Sequence, residues 1–277
     1  MATGKFILVP LDGSKNAENA LAAAALLSRV YDLPIEVVHV LDPEHDASTL
    51  ESESHAFRDY GERLVGDYQL PRERCRFQVF QGSPPETILA LAENAVWIAM
   101  ASHGRGGFRA MFIGSVADKV VRGAPAPVYL VPGIGSAPEP PAKILVALDG
   151  SPEAERALGP ARELAKAVGA SVILLRAYTL IPPAATGWAA GYPPEVVEMV
   201  AEDATNYIRQ IARPGEETVA VRGDATQAIL AISIEIDAGL VVMTASGKGL
   251  AGRALGSTTD RVMHSLHRPL IVIPPAE

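Results

Sequence analysis

Apolar positions along the chain follow two alternating rhythms. The stretch FILVPL at 6–11 is a continuous apolar run, as in a strand buried on both faces of a parallel sheet. DGSKNAENALAAAALLSRVY, at 12–31, then opens on cap-forming residues and continues with alanine and leucine at helical spacing. The same reading gives a strand at 35–42 (IEVVHVLD), a helix at 52–68, a strand at 76–82 (RFQVFQG) and a helix at 84–95. It ends with a strand at 96–102 (VWIAMAS), a helix at 114–123 and a strand at 127–132 (PVYLVP). Strands alternating with helices predict a parallel sheet with helices on both faces. Ligands of such sheets bind beyond the carboxyl ends of the strands, where the strand order reverses. Asp12 follows the first strand and Gly104 the fourth, so both are expected on that rim.

The pattern then repeats. KFILVPLDGSKNAENAL at 5–21 returns as KILVALDGSPEAERAL at 143–158, and IGSVADKVVRGAPAPVYLVP at 113–132 returns as LGSTTDRVMHSLHRPLIVIP at 255–274. The offsets, 137 and 142 residues, are nearly equal, which is the signature of two copies of one unit. The expected organisation is one domain at 1–132, a proline- and glycine-rich linker at 133–142 and a second domain at 143–277. Each domain is expected to be a doubly wound, mostly parallel, five-stranded α/β sheet. The apolar last strands, PVYLVP and PLIVIP, are natural edges for pairing, so the copies are expected to form an intramolecular pair; a homodimer of chains is also possible.

Composition narrows the partners. The 277 residues carry a net charge of −8, which argues against a broad basic face for nucleic acid or an anionic membrane. Cys75 is the single cysteine, so neither an intrachain disulfide nor a thiolate metal cluster can form. No apolar run approaches the ~20 residues of a membrane span, and a cytoplasmic location is expected.

The candidate chemistry lies in ASHGRGGFRAMFIGSVADKVV at 101–121. Gly104 follows a strand end, and Gly114 and Ser115 open a helix whose first N–H groups lack partners and carry the positive end of the helix dipole. Such a loop can cradle phosphates, with Asp12 on the neighbouring strand end holding a divalent cation such as Mg²⁺. On the spacing alone, however, a helix cap is the default reading. Ser115-Val-Ala-Asp118 and Ser257-Thr-Thr-Asp260 both match a capping box, which would occupy the same N–H groups with the protein's own side chains.

Taken together, VPLDGS, VVHVLD and MASHGRGGFRAMFIGSVADKVV…APVYLV resemble the universal stress protein family, twice over essentially the whole chain. The resemblance implies a tandem member with the adenine nucleotide alpha hydrolase-like fold, and a stress-response role. Nucleotide-binding members carry Gly-x-x-Gly, nine residues, then Gly-Ser or Gly-Thr, and bind ATP. Here Gly104 matches the second glycine, nine residues (105–113) precede Gly114-Ser115, and Ala101 stands at the first glycine. The resemblance further implies that Asp12 matches the family's strand-one aspartate and Val40 the residue lining the adenine, with Pro10, Leu11, Met100, Arg105 and Val116 completing the site.

The second copy departs further. Thr244 stands at the first glycine, Gly247 at the second and Gly256-Ser257 at the third, with only eight residues (248–255) between; Ser246 replaces the histidine equivalent to His103. Asp149, Ala177 and Lys248 complete a weaker second site. GKGLAG at 247–252 imitates a dinucleotide fingerprint but lacks the acidic residue expected about 20 positions on. His39 reads as structural and Cys75 as inert. The leading function is an ATP-binding regulatory protein with nucleotide mainly in the N-terminal domain. The alternatives are a slow ATP hydrolase or other nucleotide-processing enzyme using the same pocket, and a nucleotide-free interaction module in which both glycine loops are only caps.

Overall fold

The computed structural model describes residues 5–41, 43–44, 47–103, 113–133, 138–180, 192–246 and 255–276. The chain divides into two compact units: Met1–Pro140 with Met263–Pro274, and Pro141–Val262 with Pro275–Glu277.

In the first unit, β1 (Phe6–Pro10) runs parallel to both β2 (Ile35–Leu41) and β4 (Ala95–Ala101). Outside β2 lies β3 (Cys75–Gln81), and outside β4 lies β5 (Val128–Val131), both parallel. The last strand of the chain, β10 (Leu270–Ile273), belongs to this unit and runs antiparallel to β5, with Leu270 opposite Leu130 and Val272 opposite Val128. The strand order is therefore 3-2-1-4-5-10. Phe6, Ile7, Leu8 and Val9 are all buried, which is why their run shows no polar alternation.

The β1–β2 crossover carries α1 (Lys15–Glu18) and α2 (Ala20–Tyr31), and the β2–β3 crossover carries α3 (Ala47–Asp67). α4 (Pro84–Ala92) leads to β4 and α5 (Ser115–Gly123) to β5. Right-handed crossovers running first one way from β1 and then the other place α4 and α5 on the face opposite α2 and α3. The expected single helix at 12–31 is two helices. Asn19 stays in the right-handed region, but its N–H turns back to the Asn16 carbonyl at 3.3 Å, a three-residue closure that breaks the register.

The second unit repeats the plan. β6 (Lys143–Leu148) lies between β7 (Ser171–Tyr178) and β9 (Leu240–Thr244), with β8 (Glu217–Arg222) beyond β7, all parallel. Its helices are α6 (Pro152–Glu155), α7 (Leu158–Val168), α8 (Pro194–Ile211), α9 (Ala225–Glu235) and α10 (Ser257–Ser265). In both units the strand order reverses beside the first strand of the copy, between β1 and β4 and between β6 and β9.

Candidate functional site

The turn after β1 is built by its own side chains. One oxygen of Asp12, Oδ1, accepts the Ser14 N–H at 2.9 Å and the Ser14 hydroxyl at 2.6 Å. Ser14 Oγ in turn accepts the Ala17 N–H and caps α1. Gly13 between them sits at φ +78°, a conformation that costs glycine little and other residues more. The second copy reproduces the device: Asp149 Oδ1 accepts the N–H and hydroxyl of Ser151, and Gly150 also has φ +78°.

α1 is anchored by a buried carboxylate. Glu18 is 3% exposed; its oxygens accept from Tyr60 Oη at 2.8 Å, Arg63 at 3.0 Å and Lys15 at 2.5 Å. Burial works against the charged form, but the hydrogen bonds from Lys15, Tyr60 and Arg63 outweigh it and hold the carboxyl below its ordinary 4.5. α1 is thereby fixed against α3, and Ala17, next to Glu18, forms part of a cavity wall.

That cavity, about 500 Å³, opens at the carboxyl ends of β1, β2 and β4, beside the strand-order reversal. Pro10, Leu11, Asp12, Val40, Met100, Ala101, Gly114, Ser115 and Val116, all expected at the site, line it. Gly104 and Arg105 lie outside the described residues. Val38, Pro84, Ile88, Ile113 and Ala117 add apolar wall that the sequence did not point to, and Ser102 and His103 add polar edge. Pro84 and Ile88 come from α4, whose apolar face carries no sign in the sequence that it meets β1 and β2. Among the described residues Asp12 is the one carboxylate of the lining, and no lysine or arginine contributes.

The start of α5 is not a capping box. Gly114 is the N-cap, with φ −65° and ψ 147°, and among the described residues no side chain caps the helix; Ser115 is its first helical residue. The Gly114 N–H donates to the Ser102 carbonyl at 2.7 Å, and this contact fixes the chain one residue out of step with the Ser-x-x-Asp reading. Asp118 instead accepts from Arg122 one turn later. Among the described residues the N–H groups of residues 115–117 have no side-chain cap, and these residues line the cavity at the positive end of the helix. His103 Nδ1 lies 2.9 Å from Ser102 Oγ, while Nε2 is buried without a hydrogen-bond partner among the described residues. Burial, then the charge of His267, pushes its pKa below the ordinary 6.5, so the ring is neutral at pH 7.

The second copy has a corresponding but smaller cavity of about 170 Å³, lined by Asp149, Ala177, Gly256 and Ser257 among others. Gly247 and Lys248 lie outside the described residues, as does the 247–252 glycine motif. His39 Nδ1 bonds the Leu11 carbonyl at 2.7 Å and its ring lies tilted against Phe57, a structural role. Cys75 is 6% exposed, and burial pushes its thiol up to about 11, which keeps it protonated and unreactive.

Comparison with known proteins agrees with the repeat. A universal stress protein of Mycobacterium tuberculosis is 26% identical over 305 residues, covering 96% of each chain. One from Thermus aquaticus is 34% identical over 139 residues, covering 46% of this chain and 98% of its own. Among solved structures, a universal stress protein of Archaeoglobus fulgidus has a TM-score of 0.68 at 22% identity, covering 98% of both chains. A protein of unknown function from Pseudomonas aeruginosa has a TM-score of 0.73 at 19% identity, covering 99% of this chain and 93% of its own. The family model for the universal stress protein family matches residues 5–132 and again 141–274, so the chain belongs to that family as a tandem member.

Proposed function

We propose that the first copy binds an adenine nucleotide, most directly ATP, and that the chain acts as a nucleotide-responsive regulatory protein. The carrying observation is that one cavity brings together three chemically distinct surfaces. Leu11, Val38, Val40, Ile88 and Met100 offer apolar walls for a base, Asp12 a carboxylate for a ribose or metal, and the uncapped start of α5 a row of N–H groups for phosphate. Its volume lies within the ~300–1,000 Å³ typical of small-molecule sites. The uncapped helix start also supports this reading over the interaction module, in which the same N–H groups would be capped.

A triphosphate brings about four negative charges, and the N–H groups at a helix start offset only about half a charge. The described lining supplies no cationic side chain, and the chain as a whole is negative. Mg²⁺ suits the site as a partner of the phosphates. One carboxylate with waters and phosphate oxygens is an ordinary magnesium environment. The reading uses Asp12 for metal or ribose and assigns no catalytic residue. It also includes pairing of the copies through their last strands, supported by the antiparallel register of β5 with β10.

The test is to identify by mass spectrometry the ligand released when purified protein is denatured, and then to titrate ATP into wild type, Gly114→Val and Gly256→Val. Binding that is lost in Gly114→Val and kept in Gly256→Val is expected. A folded Gly114→Val protein with unchanged affinity overturns the proposal.

A further inference from the structure

The two copies share a turn, a strand order and a helix start, yet their cavities differ about threefold in volume. Position by position, most of the lining is alike: Leu11 and Leu148, Asp12 and Asp149, Ala17 and Ala154, Ile88 and Ile229, Met100 and Met243, Ser115 and Ser257. Four positions are smaller in the second copy: Ala147 for Pro10, Ala177 for Val40, Ala225 for Pro84 and Ser246 for His103. Three are larger. Leu175 replaces Val38 with one more methylene, and Thr244 and Thr259 replace Ala101 and Ala117, each adding a methyl and a hydroxyl.

The two threonines do more than fill space. Thr259, in the first turn of α10, donates its hydroxyl to the Thr244 carbonyl at the end of β9, at 2.8 Å. Thr244 donates its own hydroxyl to the Ser246 carbonyl, also at 2.8 Å. Both side chains are buried, 6% and 3% exposed for Thr244 and Thr259. The hydroxyls are therefore satisfied inside the protein: that of Thr259 bridges the helix start to the strand end, and that of Thr244 is tied into the turn after its own strand, both beside the gap where a phosphate would lie. A ligand entering there would have to break two buried hydrogen bonds and displace two methyl groups. In the first copy the same gap is flanked by Ala101 and Ala117, which have no polar side-chain atom and no reach.

We propose that Leu175, Thr244 and Thr259 close the second pocket to nucleotides, so that the chain binds one nucleotide and not two. This rests on the reading that the first pocket takes an adenine nucleotide. The remaining cavity, about 170 Å³, is below the ~300 Å³ lower end of small-molecule sites. Specificity at the second copy is set by obstruction, because the aspartate turn, the apolar floor and the helix start that would attract a nucleotide are still present.

The test is ATP stoichiometry by isothermal titration and equilibrium dialysis. Wild type is expected to bind one ATP per chain. The triple variant Leu175→Val, Thr244→Ala, Thr259→Ala gives the second pocket the first copy's residues at the three obstructing positions and is expected to bind two. The same triple in a Gly114→Val background is expected to bind one, at the second copy. Leu175→Val with Thr244→Val and Thr259→Val keeps the threonine volume without the hydroxyls and is expected to gain no site. Two ATP per wild-type chain, or a folded Leu175→Val, Thr244→Ala, Thr259→Ala variant with no added site, overturns the proposal. If wild type binds none and the triple binds one, the first-pocket reading falls and this one stands; if neither binds, both fall. Should the triple fail to fold, the reverse exchange Ala101→Thr with Ala117→Thr decides. At least a tenfold loss of ATP affinity is expected, and an unchanged affinity refutes the obstruction.

Discussion

Glu18→Gln isolates the buried latch that holds α1, and with it one wall of the first cavity. The glutamine is nearly isosteric. Its oxygen can still accept from Tyr60 and Arg63, but its amide donates, and it would face the other donors, Lys15 and Tyr68. Lys15 and Arg63 are 73% and 47% exposed, so their charges are screened by water and each ion pair is worth at most about 1 kcal/mol. The Tyr60 bond to a carboxylate that is itself buried is worth about 1.5–3 kcal/mol in its charged form and less in its neutral one. The expected net loss is about 2 kcal/mol, or about 4–8 °C in Tm for a unit of this size.

The pH dependence has a definite sign. The folded carboxyl titrates below its ordinary 4.5, so its stabilisation is present in full above that value and is lost as pH falls through the depressed folded value. Thermal unfolding by circular dichroism from pH 7 to pH 3 should show wild type above Glu18→Gln at neutral pH, with the gap shrinking below about pH 4.5. A variant within about 0.5 kcal/mol of wild type at pH 7, which is the scatter of ordinary surface substitutions, refutes the account. So does a gap that stays constant down to pH 3.

Asp12→Asn keeps an oxygen to accept the two Ser14 hydrogen bonds, so the turn should survive while the negative charge is lost. Titration with and without magnesium should show Mg-ATP binding falling by more than adenosine binding, and ATP affinity unchanged by removal of all metal would return Asp12 to ribose binding or to a turn-forming role alone. Residues 1–140 expressed alone would leave the buried edge of β5 without its antiparallel neighbour; this fragment should dimerise or aggregate in sedimentation, and a well-behaved monomer would count against edge pairing.

Much of this molecule is local, and local features are legible in a sequence. Phe6–Pro10 and Lys143–Leu148 had to be strands buried on both faces because no polar residue interrupts them, and their recurrence at a fixed offset marks the tandem repeat. Asp12-Gly13-Ser14 closes on itself within three residues, so its chemistry is written where it acts. The start of α5 was ambiguous for the opposite reason. Ser115-Val-Ala-Asp118 is the same four letters whether Ser115 caps the helix or begins it, and the choice is made by the bond from the Gly114 N–H to the carbonyl of Ser102, twelve positions before Gly114. Pro84 and Ile88 joined the cavity, and Tyr60 met Glu18, only because crossovers laid α4 and α3 against strands distant in sequence. The obstruction of the second pocket is of the same kind. Thr244 and Thr259 are fifteen residues apart; the Thr259 hydroxyl reaches the Thr244 carbonyl only when the end of β9 and the start of α10 are brought within hydrogen-bond distance. Propensity and burial pattern act over a few neighbouring residues, whereas the shape of a cavity depends on side chains that folding alone makes neighbours.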